Sequence, residues 1–109
     1  MHEIDKEDMY QSIWDFPENI IDAIELCENI TLKNEYLDLN NIIIAGMGGS
    51  AIGGDVVYSL IKNEIKIPFV VNRGYDLPSW ANSSTLIICS SYSGNTEETI
   101  SILEEARSL

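Results

Sequence analysis

The chain predicts an α/β fold built on a parallel sheet, and three observations carry that prediction. From residue 42 onward, three short apolar runs rich in β-branched residues alternate with longer segments, the first and third of which are helical in pattern. The runs, IIIA at 42–45, PFVVN at 68–72 and TLIIC at 85–89, are apolar throughout rather than alternating, as in strands covered on both faces. Glycine and hydroxyl clusters follow the first and third runs, where strand-to-helix turns belong. Right-handed crossovers between parallel strands then give a three-layer sandwich.

The first third reads as helical. Residues 6–16 carry Met9, Ile13 and Phe16 at helical spacing, and Asp15-Phe-Pro-Glu starts a second helix with Pro17 in its first turn. Ile20, Ile21, Ile24 and Cys27 form one face of that helix, and Glu18, Asp22, Glu25 and Glu28 the other. The expected division is a helical segment over 1–40 packing on an α/β domain over 41–109.

Within that domain, a helix over 51–62 follows the first strand, and the loop RGYDLPSW (73–80) follows the second. A helix over 96–107 follows the third, with Ile100, Leu103 and Ala106 facing inward. The expected strand order is 2-1-3, the flavodoxin-like order. It puts a topological switch point between the first and third strands, where open sheets bind ligands beyond the carboxyl ends. The loops GMGGS and SSYSGNT meet at that crevice. The pattern stops after the third strand-helix unit, where another parallel strand is expected, so the chain reads as truncated or as completed by a partner.

Composition narrows the function classes. A chain of 109 residues suits one domain with a modest core. Its net charge of -12 repels nucleic acid and anionic membranes, so neither is an expected partner. No apolar run approaches the roughly 20 residues that span a bilayer. The acidic N-terminus lacks the regions of a signal peptide, which makes the cytoplasm the expected location. Cys27 and Cys89 read as reduced core residues. His2 is the single histidine, so no metal site and no Cys/His nucleophile is expected.

Gly46-Met-Gly48-Gly-Ser-Ala51 matches G-x-G-x-x-A, the dinucleotide fingerprint, between a strand and a helix. That fingerprint needs an acid at the end of the second strand, roughly 20 positions on, to hold a ribose hydroxyl. Asn72-Arg73 stand there, which leaves an NADP reading with Arg73 at a ribose phosphate. Tight helix–strand packing at Gly53 and Gly54 is the purely structural account. A glycine near a helix start costs up to about 1 kcal/mol relative to alanine, so several of them suggest close backbone approach to a ligand. The N–H groups of Gly48, Gly49 and Ser50 would point into the crevice at a helix N-terminus. In the second loop, the hydroxyls of Ser91, Ser93 and Thr96 can converge on one anion. Simple capping by Asn95 with Glu98 is the alternative, and it leaves Ser91 and Ser93 without a task.

GMGGSAIGGD at 46–55 together with SSYSGNTEET at 90–99 resembles the sugar isomerase (SIS) domain. The closer similarity is to the N-terminal SIS domain of the bifunctional phosphoglucose/phosphomannose isomerase family, which FPENIIDAI at 16–24 and NRGYDLP at 72–78 also fit. The resemblance implies a sugar phosphate held by Gly49, Ser50, Ser91, Ser93 and Thr96. It implies interconversion of glucose 6-phosphate or mannose 6-phosphate with fructose 6-phosphate through an enediolate, with no cofactor and no metal, in a homodimer. The family's catalytic glutamate, histidine and lysine lie in the second SIS domain or near the C-terminus. Catalytic residues are therefore unassigned and expected beyond residue 109, and this segment alone is expected to be inactive. Asp55, Glu97 and Glu98 are not nominated as the base, and Arg73 is a candidate sugar contact. A non-catalytic SIS sensor of phosphosugars is the other alternative, although no helix-turn-helix segment is visible.

Overall fold

The computed structural model describes residues 4–32 and 38–109; His2 lies outside them. The chain divides into two compact units, Met1–Lys33 and Asn34–Leu109. No helix among the described residues is long and apolar enough to cross a membrane.

The first unit holds α1 (Met9–Trp14) and α2 (Phe16–Glu28). Asp5 opens α1, its carboxylate accepting the N–H groups of Met9 and Tyr10 at 2.8 Å each. Asp15 separates the helices, and Pro17 sits in the first turn of α2, where a missing N–H leaves no bond unmade. None of the unit's described residues is buried, and Ile20, Ile21 and Ile24 stay about half exposed. Cys27 is exposed as well, contrary to its expected place in a core. The physical reason is size: among the unit's described residues only the short α1 accompanies α2, too little to cover an apolar face.

The second unit runs β1 (Asn41–Ala45), α3 (Gly48–Ile61), β2 (Phe69–Asn72), β3 (Thr85–Cys89) and α4 (Glu97–Ala106). The three strands form one parallel sheet in the order β2-β1-β3, as the sequence predicts. Ile43 stands opposite Val70 on one side and Ile87 on the other, which fixes the register. Successive side chains of β1 serve opposite faces. Ile43 and Ala45 pack with Leu77 and with Ile102 of α4, joined by Ile87 and Cys89 of β3. Ile43 and Ile102 are fully buried, each worth about 1.5–3 kcal/mol of apolar burial.

On the other face α3 lies close to the sheet through small residues, Ala51 and Gly54, which are buried. A Cβ added to Gly54 would come 3.1 Å from Val71 Cγ2 and 3.2 Å from Ile44 Cγ2. The bulkier Ile52, Val56 and Leu60 of α3 are exposed. In α4 the buried residues are Thr99 and Ile102, with Ala106 half-buried, whereas Ile100 and Leu103 remain 37% and 39% exposed. This corrects the inward face expected from the sequence, which shares only Ala106 with the observed one. Ile102 is drawn into the cluster around Ile43 and Leu77, and each step along a helix turns by about 100°, so Ile100 and Leu103 rotate away. Leu77 is held in place by its N–H, which donates to the Glu105 carboxylate at 2.7 Å.

Candidate functional site

Gly46, the residue after β1, is buried, and a Cβ on it would lie 3.0 Å from the backbone oxygen of Ser90, the residue after β3. Its lack of a side chain lets the two loops close on one another. The Ser90 N–H seals the junction by donating to the Ala45 carbonyl at 2.8 Å. A cleft of about 650 Å³ opens there, lined by Met47, Gly49 and Ser50 from the first loop. Ser90, Ser91, Tyr92, Ser93 and Thr96 line it from the second. It lies at the carboxyl ends of adjacent strands whose helices pack on opposite faces of the sheet, the switch point of an open α/β fold.

The first loop is shorter than the sequence suggests, because α3 starts at Gly48 rather than near residue 51. The Met47 carbonyl accepts the N–H groups of Ser50 at 3.1 Å and Ala51 at 3.4 Å, which closes the first turn. Gly48 adopts φ +52°, a left-handed conformation that a side chain resists. The Ser50 N–H is thus engaged, which removes one of the three backbone donors expected for an anion. The N–H groups of Gly48 and Gly49 have no acceptor among the described residues. Gly49 lines the cleft and Gly48 does not. A Cβ on Gly49 meets nothing within 4 Å, so packing does not demand glycine there.

The second loop gathers three hydroxyls. Ser91 Oγ lies 2.9 Å from Thr96 Oγ1 and 3.5 Å from Ser93 Oγ, and Ser93 Oγ lies 3.5 Å from Thr96 Oγ1. Backbone donors orient two of them: Gly94 N–H donates to Ser91 Oγ at 3.1 Å and Asn95 N–H to Ser93 Oγ at 3.3 Å. A hydroxyl oxygen that accepts from the backbone keeps its own proton to donate elsewhere. Gly94, at φ +71°, makes the turn. The capping alternative does not form. The N-cap of α4 is Thr96 rather than Asn95, with no side-chain capping bond, and the Thr96 hydroxyl faces Ser91. The N-termini of α3 and α4 thus both open beside the hydroxyls, a neutral arrangement suited to a compact anion.

The surroundings are acidic. Glu97 and Glu98 occupy the first turn of α4, and the Tyr75 hydroxyl donates to Glu97 at 3.5 Å. The charge of Glu98, then desolvation and the charge of Glu97, hold the Tyr75 pKa above the ordinary tyrosine value. Among the described residues no lysine or arginine lines the cleft. Arg73 is instead paired with Asp55 of α3, both side chains about half exposed. Asn72, standing where a dinucleotide site needs an acid, shapes the following turn. Its amide donates to the Asp76 carbonyl, and its side-chain oxygen accepts the Gly74 N–H, each at 2.8 Å.

The structure thus gathers Gly49, Ser50, Ser91, Ser93 and Thr96 around one cleft and leaves Gly48 beside it and Arg73 outside its lining. It adds Met47, Ser90 and Tyr92, which motif reading did not select. Their signal was positional: each directly follows or sits inside a motif that the glycines and hydroxyls define.

Bifunctional phosphoglucose/phosphomannose isomerase of Caldicellulosiruptor bescii is 44% identical over 99 residues, covering 91% of this chain and 29% of that protein. The protein of the same name from Thermoplasma volcanium is 54% identical over 67 residues, covering 62% of this chain and 21% of its own length. The one from Aquifex aeolicus is 42% identical over 76 residues, covering 69% and 24% respectively. The chain spans under a third of each relative. No protein-family model and no solved structure matches it.

Proposed function

We propose that this chain is the N-terminal phosphosugar-binding SIS domain of an aldose-ketose isomerase. The full enzyme would interconvert glucose 6-phosphate or mannose 6-phosphate with fructose 6-phosphate, as a cytoplasmic homodimer. The observation that carries this reading is the triangle of Ser91, Ser93 and Thr96 hydroxyls facing the start of α3 across one cleft. The names of the relatives support the reaction class. The division into a helical segment over 1–40 and a domain over 41–109 belongs to the same reading.

In this mechanism the phosphate accepts from the three loop hydroxyls, from the Ser50 side-chain hydroxyl and from the Gly48 and Gly49 N–H groups. Anchoring one end of the substrate fixes the distance of its C1 and C2 from whatever base acts on them, which converts binding energy into orientation. The base moves a proton between those carbons through an enediolate. The local carboxylates have other tasks: Asp55 holds Arg73, and Glu97 accepts from Tyr75. Glu98 sits in the first turn of α4, where a carboxylate favours the helix start. The family resemblance implies that the base comes from chain beyond residue 109, and Arg73 contacts sugar only by leaving Asp55. An NADP module would need Arg73 for a ribose phosphate and gives the hydroxyl loop no role. The sensor alternative uses the same anchor and differs only in lacking chemistry.

Amide-resolved NMR with fructose 6-phosphate tests the assignment. The largest shifts are expected at Gly48, Gly49, Gly94 and Thr96, with no isomerisation of the sugar in the tube. Shifts centred on 73–76 would favour the nucleotide reading, and turnover by this chain would refute the absent base.

A further inference from the structure

The cleft is not uniformly polar. Serine and threonine hydroxyls dominate its lining, and two large side chains interrupt them, Met47 from the first loop and Tyr92 from the second. Tyr92 stands between Ser91 and Ser93 in the hydroxyl loop and is fully exposed. It makes no hydrogen bond and stacks on no ring among the described residues. Met47, the N-cap residue of α3, is also exposed. Folding does not account for a bare tyrosine at this place, since a small polar residue would serve the turn without exposing apolar surface. Ligand pockets, by contrast, commonly pair a few convergent polar groups with apolar and aromatic walls.

Resting on the phosphosugar reading, we propose that Met47 and Tyr92 clamp the carbon skeleton of the bound ester while the hydroxyls hold its phosphate. The two come from different loops that meet at Gly46 and Ser90, so they reach a ligand from separate sides of the opening. The tyrosine ring covers C–H surface of the ligand, and the thioether, unbranched and adaptable, fits what remains. The site then selects phosphate esters of an organic body over inorganic phosphate, and Tyr92 is the specificity-determining residue.

The test compares fructose 6-phosphate with inorganic phosphate, by calorimetry, on the chain itself and on Tyr92→Ala and Tyr92→Phe. Because the side chain has no contacts to lose, all three should melt together. Tyr92→Ala should weaken the ester by about three- to tenfold, the range expected for losing one aromatic face, and leave inorganic phosphate unchanged. Tyr92→Phe should bind both as the parent does. Equal loss for both ligands, no loss for the ester, or a Tyr92→Phe defect as large as that of alanine overturns the clamp and leaves the phosphate anchor standing. If the parent chain binds neither ligand, the anchor fails and the clamp with it.

Discussion

Gly49→Ala separates the demands of the fold from those of the ligand. An added Cβ meets no atom within 4 Å outside its own helical turn, and the residue lies in the first turn of α3 with no positive φ to protect. Alanine should therefore leave stability unchanged or raise it by about 0.5–1 kcal/mol, through better helix propensity and a less flexible unfolded chain. In a unit of this size that corresponds to a rise of up to about 4–8 °C in Tm. Binding should move the other way. A methyl at the lip of the cleft impedes an anion approaching the Gly49 N–H, and losing one hydrogen bond to a charged group costs about 1.5–3 kcal/mol, or roughly ten- to a hundredfold in affinity. Gly54→Ala is the mirror control, since its Cβ would press on Val71 and Ile44 at 3.1 and 3.2 Å. Overpacking of about 1–3 kcal/mol, offset by about 1 kcal/mol of helix propensity, predicts a net destabilisation of roughly 1 kcal/mol with affinity retained. Thermal melts and calorimetry with fructose 6-phosphate read both quantities. Gly49→Ala that binds like the parent, or that melts markedly lower, would refute the claim that Gly49 is kept for a ligand.

Thr99 is buried and its hydroxyl has no hydrogen-bond partner among the described residues, so Thr99→Val, of nearly the same shape, should stabilise the chain by about 1 kcal/mol in urea melts. Burial pushes the Cys89 thiol pKa up while Cys27 is exposed, so a thiol alkylating reagent followed by mass spectrometry should label Cys27 well before Cys89 in the folded chain. The same raised folded pKa favours the neutral thiol, a stabilisation present below the unfolded pKa and lost as pH rises through the folded one. Finally, a net charge of -12 repels a phosphate, so affinity for fructose 6-phosphate should rise as salt is added, measured by repeating the titration across ionic strengths. A steep fall would mean that lysine or arginine holds the anion.

The sheet was legible because its cause is local. Unbroken apolar runs such as 42–45 admit few readings, and two right-handed crossovers are compatible with the 2-1-3 order. Thr96, Ser91 and Ser93 were legible as a group because a turn around Gly94 leaves their hydroxyls few other places to go. Helix faces were harder. Ile100 and Leu103 are as apolar as Ile102, and only the position of Leu77, tied to α4 through Glu105, decides which is buried. Cys27 was misplaced for a related reason, since its helix has an apolar face but too little of its own unit to cover it. Motif spacing also hid the start of α3, because three residues that read as loop became a helical turn once the Met47 carbonyl gathered two N–H groups. Tyr92 escaped because a site is sought among polar residues, and an aromatic between two serines reads as incidental.

The most direct test of the account is a paired calorimetric titration of this chain with fructose 6-phosphate and with free fructose. A phosphate anchor built from the Ser91, Ser93 and Thr96 hydroxyls and the start of α3 predicts saturable heat with the ester and none with the free sugar. Equal responses to both, or no response to either, would contradict it.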